Sequence, residues 1–257
     1  MCRFQDVLDY PVLILALSLL IFWLSALAGA SVSKRRHSAE TEADHEDFTL
    51  IVGATLTLLG LIIGFTFSMA MTRYDQRKNY EEEEANAIGT EYVRLDLLPA
   101  TDAAKIRILV RSYLDQRVLY YRARNEQQLN QISNRTAQLQ AEMWSAVSTL
   151  TRAHLNPVMA LVVAGMNDVL NTQGYTQAAW WNRVPIAAWT LLVVLSIFSN
   201  LALGYGAHRR TTFRFLILPI ALSVSLFLIA DIDSPRGGII RVYPQNLERL
   251  AESLHSQ

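Results

Sequence analysis

The chain has 257 residues, with 23 basic and 23 acidic side chains and therefore no net formal charge. Acidic and basic residues are interleaved through the middle of the chain, a distribution that argues against nucleic-acid binding. Cys2 is the only cysteine, so an intrachain disulfide is excluded.

Four long stretches of the sequence carry no charged residue. They are residues 10–33, 48–72, 184–207 and 215–230. About 20 apolar residues span the hydrocarbon core of a bilayer, so the first three stretches predict transmembrane helices directly. The fourth reaches that length from Thr211 to Asp231 if the Arg214 side chain extends to the membrane surface. The alternative, buried helices of a soluble core, fits this length and lack of charge less well.

The first apolar stretch could instead be a cleaved signal peptide, since "ALAGA" at residues 26–30 offers two A-x-A cleavage sites. The residues before it carry Arg3 against Asp6 and Asp9, which is not the positive excess of a signal peptide. Because the apolar run is also long, we interpret it as a membrane helix.

The four spans form two hairpins around a polar middle region. The hairpins cover residues 10–72 and 184–231, the middle region covers 73–183, and a tail covers 232–257. The middle region is rich in Ala, Leu, Glu, Gln and Arg, which favour helices. The sequence therefore predicts an all-α protein, with four transmembrane helices and an inserted extramembrane helical bundle.

Within the middle region, Thr101 after Pro99 predicts an N-cap, and the following helix carries an apolar stripe. The stripe consists of Ile106, Val110, Tyr113, Leu114, Val118 and Tyr121. A third helix, 129–155, is expected to stop near Asn156–Pro157. A short fourth helix, 157–170, is expected to end at "NTQG", before aromatic residues typical of a membrane interface. These aromatic residues are Tyr175, Trp180 and Trp181.

The charges around the spans leave the orientation open. Each short loop between spans carries three basic residues close to membrane ends, which favours a cytoplasmic location for these loops and places the helical region outside. They are Lys34, Arg35 and Arg36 in the first loop and Arg209, Arg210 and Arg214 in the second. Arginines and lysines also flank the membrane ends on the other side, so the distribution of basic residues does not determine the orientation.

The second span carries three glycines on one face, Gly53, Gly60 and Gly64. Gly60 and Gly64 form a GxxxG pair, which predicts a close contact between helices, such as one between subunits. Ordinary packing within the chain is the alternative.

The adjacent face of this span carries a stripe of five residues at helical spacing: Thr57, Leu61, Phe65, Ser68 and Thr72. Hydroxyl groups flank two bulky apolar side chains, a pattern that suits a water-filled conduit with an apolar constriction. We therefore predict that these five residues line a pore. Hydroxyls bonded to the backbone of their own helix are the alternative.

Nothing breaks the helix after Thr72, so we predict a single helix from Phe48 to about Leu97. Tyr80, Ala85, Ile88, Tyr92 and Leu95 continue an apolar stripe beyond the membrane.

Glu81–Glu84 point around most of the helix and cannot all bind one metal. We interpret them as solvated surface with i,i+4 pairing; a charged vestibule is the alternative if the helix belongs to a ring. The expected pairs are Arg77 with Glu81 and Lys78 with Glu82.

Three segments resemble bacterial membrane proteins known as bestrophin-like domain proteins, a family of unknown function. They read "LGLIIGFTFSMAMTRYDQR", "EEANAIGTEYVRLDLLP" and "DSPRGGIIRVYPQNLERLAESL", and the resemblance covers about residues 48–253. The second span also resembles, more distantly, that of the bestrophin anion channels.

The resemblance to bestrophins implies a homo-oligomeric, pentameric anion channel in the bacterial inner membrane, with a narrow neck formed by the second span. The three neck positions match Phe65, Leu61 and Thr57, of which Thr57 departs from the apolar pattern. The acidic calcium-sensing cluster of animal bestrophins is not matched, since Asp231 and Asp233 lie before the corresponding region. Bestrophins hold their helical domain in the cytosol, which disagrees with the loop charges.

No catalytic motif or metal-ligand spacing is present in the sequence, so we predict no enzyme activity, no cofactor and no metal. The five histidines are scattered: His37, His45, His154, His208 and His255. The favoured function is an ion channel, with lipid, ions and further copies of the chain as partners. The alternative is a non-conducting membrane scaffold or sensor whose helical region binds a partner.

Overall fold

The structure is a computed structural model that describes residues 9–36, 42–153, 156–206 and 214–256. Several residues discussed above lie outside the described part: Cys2, Arg3, Asp6, His37, His154, His208, Arg209, Arg210 and Thr211. The side chains of Lys34, Arg35, Arg36, His45 and Arg214 also lie outside it.

The described residues form eight α-helices and no strand, which confirms the all-α prediction. The helices are α1 (Pro11–Arg36), α2 (Glu42–Arg94), α3 (Ala100–Arg122), α4 (Glu126–Ala153), α5 (Pro157–Trp181), α6 (Ile186–Tyr205), α7 (Arg214–Asp233) and α8 (Gln245–His255). A 3₁₀ turn, Leu95–Leu97, follows α2. The chain divides into a membrane unit, residues 1–73 with 183–241, and a helical unit, residues 74–182 with 242–257.

Four helical stretches are long and apolar enough to cross a membrane, as the charge pattern predicts. They are Pro11–Ser33, Glu46–Leu97, Pro157–Tyr205 and Leu216–Asp233. The predicted continuity of the second span is also confirmed, because α2 is one helix of 53 residues that passes through Thr72 without interruption.

In the membrane unit, α1 packs against α6 and α7. Two glycines make the α1–α6 crossing possible: a Cβ atom on Gly29 would collide with the Leu201 carbonyl, and one on Gly204 with the Ala26 carbonyl. Small residues allow helix backbones to approach this closely within a membrane. The close contact inside the chain therefore uses glycines of α1 and α6, which the sequence analysis did not single out.

Two buried carboxylates near the end of α7 accept hydrogen bonds from the backbone of the membrane unit, one from the segment after α7 and one from the segment before α6. Asp231 accepts hydrogen bonds from the backbone N–H groups of Ile239 (2.6 Å) and Ile240 (2.8 Å). Asp233 accepts one from the backbone N–H of Val184 at 2.9 Å. The described residues contain no cluster of three or more acidic, histidine or cysteine side chains able to hold a metal ion. These aspartates therefore serve to order the backbone.

The helical unit has one hydrophobic core, to which the predicted apolar stripes contribute. Ala85, Ile88 and Tyr92 of α2 and Leu95 of the following 3₁₀ turn are buried in it, and Tyr80 is half-buried. Of the predicted α3 stripe, Ile106, Val110, Tyr113, Leu114 and Tyr121 are buried, and Val118 packs against them. The helical periodicity of the sequence thus identified these faces correctly.

The ends of several helices differ from the predictions. Helix α2 runs from Glu42 to Arg94, whereas Phe48 to about Leu97 was predicted. Helix α3 begins at Ala100 with Pro99 as its N-cap, so Thr101 lies inside the first turn and is not the cap. The Pro99 carbonyl accepts the first hydrogen bonds of the helix, from the backbone N–H groups of Asp102 (3.0 Å) and Ala103 (2.9 Å). The predicted start near Asn156–Pro157 is correct for α5, where the Asn156 side chain accepts a hydrogen bond from the backbone N–H of Met159.

The predicted end of α5 at "NTQG" is wrong, because the helix continues through Gly174 to Trp181. A glycine inside a helix costs about 1 kcal/mol. Burial of Thr176, Ala179 and Trp180 beyond it offsets this cost. Trp180 packs against the rings of Tyr120 and Tyr121, each 5.4 Å away between centroids. It is therefore a core residue of the helical unit and not part of an aromatic membrane belt, whereas Tyr175 and Trp181 are exposed.

We expect Gly204→Ala to lower the stability of the membrane unit by about 1–3 kcal/mol, because its Cβ meets a backbone carbonyl that cannot rotate away. The midpoint of thermal unfolding of the detergent-solubilised protein measures the effect. Gly174→Ala in α5 is the control, since a Cβ there meets no atom of the described chain within 4 Å. Equal midpoints for the two variants would contradict the assignment of this crossing.

Candidate functional site: the second membrane helix and its extension

The membrane part of α2 is the least covered of the four spans. Only 6% of its 18-residue apolar window is buried within the chain, against 28%, 28% and 50% for the other spans. Leu59, Thr66 and Ala70 form its buried positions. Most of the surface of this span is therefore available to lipid or to other copies of the chain.

All five predicted pore-lining residues lie on the exposed surface of α2. The side chains of Leu61 and Phe65 are 55% and 66% exposed, and Thr57, Ser68 and Thr72 are also exposed. The Thr57 hydroxyl donates to the Gly53 carbonyl (2.9 Å), and the Thr72 hydroxyl donates to the Ser68 carbonyl (2.9 Å). These two hydroxyls thus adopt the back-bonded geometry that is common in membrane spans. Their oxygen atoms can still accept hydrogen bonds.

The glycine face of α2 has no neighbour among the described residues. A Cβ atom on Gly53, Gly60 or Gly64 would meet nothing within 4 Å. Packing within the chain, the alternative given for these glycines, therefore finds no support in the described residues. A contact with another subunit remains the prediction.

Beyond the membrane, two of the four consecutive glutamates are buried. Glu81 and Glu84 are 1% and 0% exposed, whereas Glu82 and Glu83 are exposed. The interpretation of the whole run as solvated surface is therefore wrong for Glu81 and Glu84. Both lie on the buried stripe of α2, one turn before Ala85 and Ile88.

Glu84 forms a buried ion pair with Arg117 of α3, and both of its carboxylate oxygens are engaged. The Thr176 hydroxyl of α5 donates to Oε2 at 3.1 Å, and the Tyr121 hydroxyl donates to the same atom at 3.4 Å. Burial lowers the pKa of Arg117, but the adjacent Glu84 carboxylate raises it, and the result lies above the ordinary value. Burial, reinforced by Glu84, likewise raises the pKa of Tyr121. The network therefore contains one positive and one negative charge, joined by neutral hydroxyls.

Glu81 binds the N-terminus of α8. Its Oε1 accepts hydrogen bonds from the backbone N–H groups of Asn246 (2.9 Å) and Leu247 (3.0 Å). Its Oε2 accepts one from the Asn246 side chain at 2.8 Å. Helix α8 starts after Pro244 with no side-chain cap of its own, and a carboxylate is stabilised by the unpaired N–H groups of a helix start. Glu81 therefore attaches α8 to the extension of the second span.

A third carboxylate of the same stripe, Glu91, is 0% exposed, and neither of its oxygens has a hydrogen-bond partner among the described residues. Charged residues are normally exposed, so Glu81 and Glu84 were interpreted as solvated surface and no prediction was made for Glu91. The available signal was their spacing, because positions 81, 84, 88, 91 and 95 alternate steps of three and four along one helix face.

Comparison with known proteins decides the family. The sequence pattern of the Bestrophin-like domain matches residues 20–247. The chain belongs to the Bestrophin-like family. This match confirms the resemblance seen in the sequence, and the matched residues make up most of the chain.

Solved structures of bacterial bestrophin homologues share the bestrophin-like fold described here. A bestrophin homologue from Klebsiella pneumoniae has a TM-score of 0.67 and 16% sequence identity, covering 96% of this chain and 98% of that chain. Two single-substitution variants from the same organism have TM-scores of 0.66 and 0.64, at 14% and 15% identity. They cover 96% and 94% of this chain, and 99% and 98% of their own. No curated protein matches the chain.

We expect Arg117→Met to destabilise the helical unit by about 3–5 kcal/mol, because it leaves Glu84 buried without a counter-charge. Denaturant unfolding followed by circular dichroism measures the loss. The control is Glu83→Gln, an exposed neighbour for which the expected change is within about 0.5 kcal/mol. A double variant, Glu84→Gln with Arg117→Met, should be more stable than the sum of the single losses predicts. A single Arg117→Met variant as stable as Glu83→Gln would contradict this assignment.

Loss of the Glu81 carboxylate should loosen α8 locally. We expect Glu81→Ala to accelerate amide hydrogen exchange at Asn246 and Leu247, since hydrogen bonds to a charged acceptor contribute about 1.5–3 kcal/mol each. Exchange followed by mass spectrometry of C-terminal peptides measures this effect. Glu82→Ala, which removes the adjacent exposed carboxylate, should leave the exchange unchanged. Equal protection in both variants would show that Glu81 does not hold α8.

Proposed function

We propose that this bestrophin-like protein is a homo-oligomeric anion channel of the bacterial inner membrane, with a pentamer favoured, whose pore is lined by α2. The observation that carries the proposal is the uncovered membrane surface of α2, which presents Leu61 and Phe65 outward from the single chain. Membership of the Bestrophin-like family and the fold shared with bacterial bestrophin homologues support it.

The proposed pore combines an apolar constriction with polar flanks. Leu61 and Phe65 would form the constriction, where ion flow can be controlled by exclusion of water. Thr57 lies on one side of them, and Ser68 and Thr72 lie on the other, all on the same face of the helix. Selectivity for anions rests on the resemblance to bestrophins, since the stripe itself carries no charge.

Subunit contacts in the proposed channel would involve the glycines of α2. Gly53, Gly60 and Gly64 are open in the single chain, and small residues favour close contacts between membrane helices. They lie beside the stripe of Thr57, Leu61 and Phe65. A copy of the chain packed on the glycine face would therefore lie next to the proposed pore, as a ring requires.

Purified protein reconstituted in planar bilayers should conduct, and Phe65→Ala should increase the single-channel current because it widens the apolar constriction. Phe67→Ala is the matched control: the residue type and helix are the same, but two residues rotate the side chain by about 200°. Phe67 is 37% exposed and lies away from the stripe. The reversal potential in a salt gradient distinguishes anions from cations.

A sealed assembly would contradict the channel. If wild type and Phe65→Ala both fail to conduct while native mass spectrometry shows an intact oligomer, the non-conducting scaffold becomes the better description. Equal currents for Phe65→Ala and wild type would instead remove Phe65 from the conduction path.

A further inference from the structure

Glu91 is a buried carboxyl group to which neither the network around Glu84 nor any other described residue donates a hydrogen bond. It lies 19 residues after Thr72, about 28 Å farther along a helix that rises 1.5 Å per residue, and so outside the membrane-spanning part of α2. Its side chain is fully buried in the helical unit, and neither oxygen has a hydrogen-bond partner among the described residues. A buried carboxylate without partners is costly, because it loses hydration and gains nothing in exchange.

The contact with α5 is built around this carboxyl group. Gly165 of α5 faces Glu91, and a Cβ atom at position 165 would collide with the Glu91 carboxyl group and with the Arg94 guanidinium. The neighbouring positions Met166 and Val169 are fully buried. Helix α5 therefore closes over the carboxyl group at a residue that has no side chain.

Among the described residues, two charged groups act on Glu91 electrostatically, one from each helix of this contact. Arg94 lies on α2 itself, and its guanidinium donates a hydrogen bond to the Leu161 carbonyl at 3.5 Å instead of to Glu91. Asp168 lies on α5 and carries the same charge as an ionised Glu91. Burial, partly opposed by Arg94 and reinforced by Asp168, raises the pKa of Glu91 from 4.5 to about 8.

We propose that Glu91 is a proton-binding site that makes the packing of α5 against the extension of the second span depend on pH. With the proton bound, the neutral carboxyl group fits beneath Gly165. When the proton leaves to water, a negative charge remains buried, where Arg94 compensates it only in part and Asp168 repels it. Helix α5 then separates from α2 at this point, so that water reaches the carboxylate.

The direction of the pH effect follows from the two protonation states. The pKa of Glu91 is higher in the folded protein, at about 8, than the ordinary value of 4.5. Proton binding at Glu91 stabilises the folded protein fully below the ordinary pKa of 4.5. This stabilisation is lost as the pH rises through the pKa of about 8 in the folded protein. Within that window, the unfolding equilibrium constant should rise by up to about tenfold per pH unit, the slope for one bound proton.

The test measures protonation and stability separately on the full chain in detergent. Infrared difference spectra, recorded below and above the pKa of about 8, should show loss of a protonated carboxyl band in wild type and not in Glu91→Gln. The thermal midpoint of wild type should fall with rising pH more steeply than that of Glu91→Gln. Glu83→Gln, an exposed carboxylate eight residues earlier, should behave as wild type in both measurements.

A second variant distinguishes titration of Glu91 from a general effect of substitution on folding. Asp168→Asn removes the like charge that faces Glu91, so the titration midpoint of the infrared band should move to lower pH while the band itself persists. An infrared difference spectrum identical in wild type and Glu91→Gln overturns the proposal, as does a thermal midpoint with the same pH dependence in both. Neither readout requires conduction, so the failure of the proposed channel function would leave this test valid.

Discussion

The buried ion pair between Glu84 and Arg117 is the constraint on which the helical unit depends. Removing two charges from water costs several kcal/mol each, and only a well-satisfied pair offsets that cost. Both Glu84 oxygens are engaged, and α2, α3 and α5 each contribute a group. A slip of α2 along α3 would leave these charges buried without their partners, and a slip of α5 would remove the Thr176 hydroxyl from Glu84. The ion pair therefore fixes the register of α2 and α3, and the Thr176 hydrogen bond adds α5, while the apolar core supplies the driving force.

Three carboxylates on one face of α2 have three different environments. Glu81 accepts hydrogen bonds from backbone N–H groups at the start of α8, and Glu84 accepts them from a guanidinium and two hydroxyls. Glu91 accepts no hydrogen bond from the described residues. Hydrogen bonds and an opposite charge favour the ionised form, whereas burial alone favours the neutral form. The same residue type along one stripe thus provides a helix attachment, a charge pair and a group whose pKa burial raises to about 8.

The sequence predicted what depends on local composition and periodicity. The spans, the unbroken α2 and the apolar stripes of α2 and α3 follow from the absence of charge and from helical spacing. Contacts between residues distant in sequence were not predictable in this way. Trp180 is buried because it packs against Tyr120 and Tyr121, and its burial stabilises the part of α5 that follows Gly174. The burial of Glu81 and Glu84 was missed because acidic residues were assumed to be solvated, although their spacing placed them on the stripe.

The glycines of the membrane unit divide into two groups with different surroundings. Gly29 and Gly204 already hold backbones against each other at the α1–α6 crossing, and no larger residue fits there. Gly53, Gly60 and Gly64 meet nothing among the described residues, although their helix also presents Leu61 and Phe65 outward. A lipid-facing helix gains nothing from a row of small residues, since side chains pack well against lipid, whereas a neighbouring helix can approach closely only over such a row. The open glycines of α2 therefore favour a second protein helix over lipid as their neighbour, which is the arrangement that a ring of subunits around α2 requires.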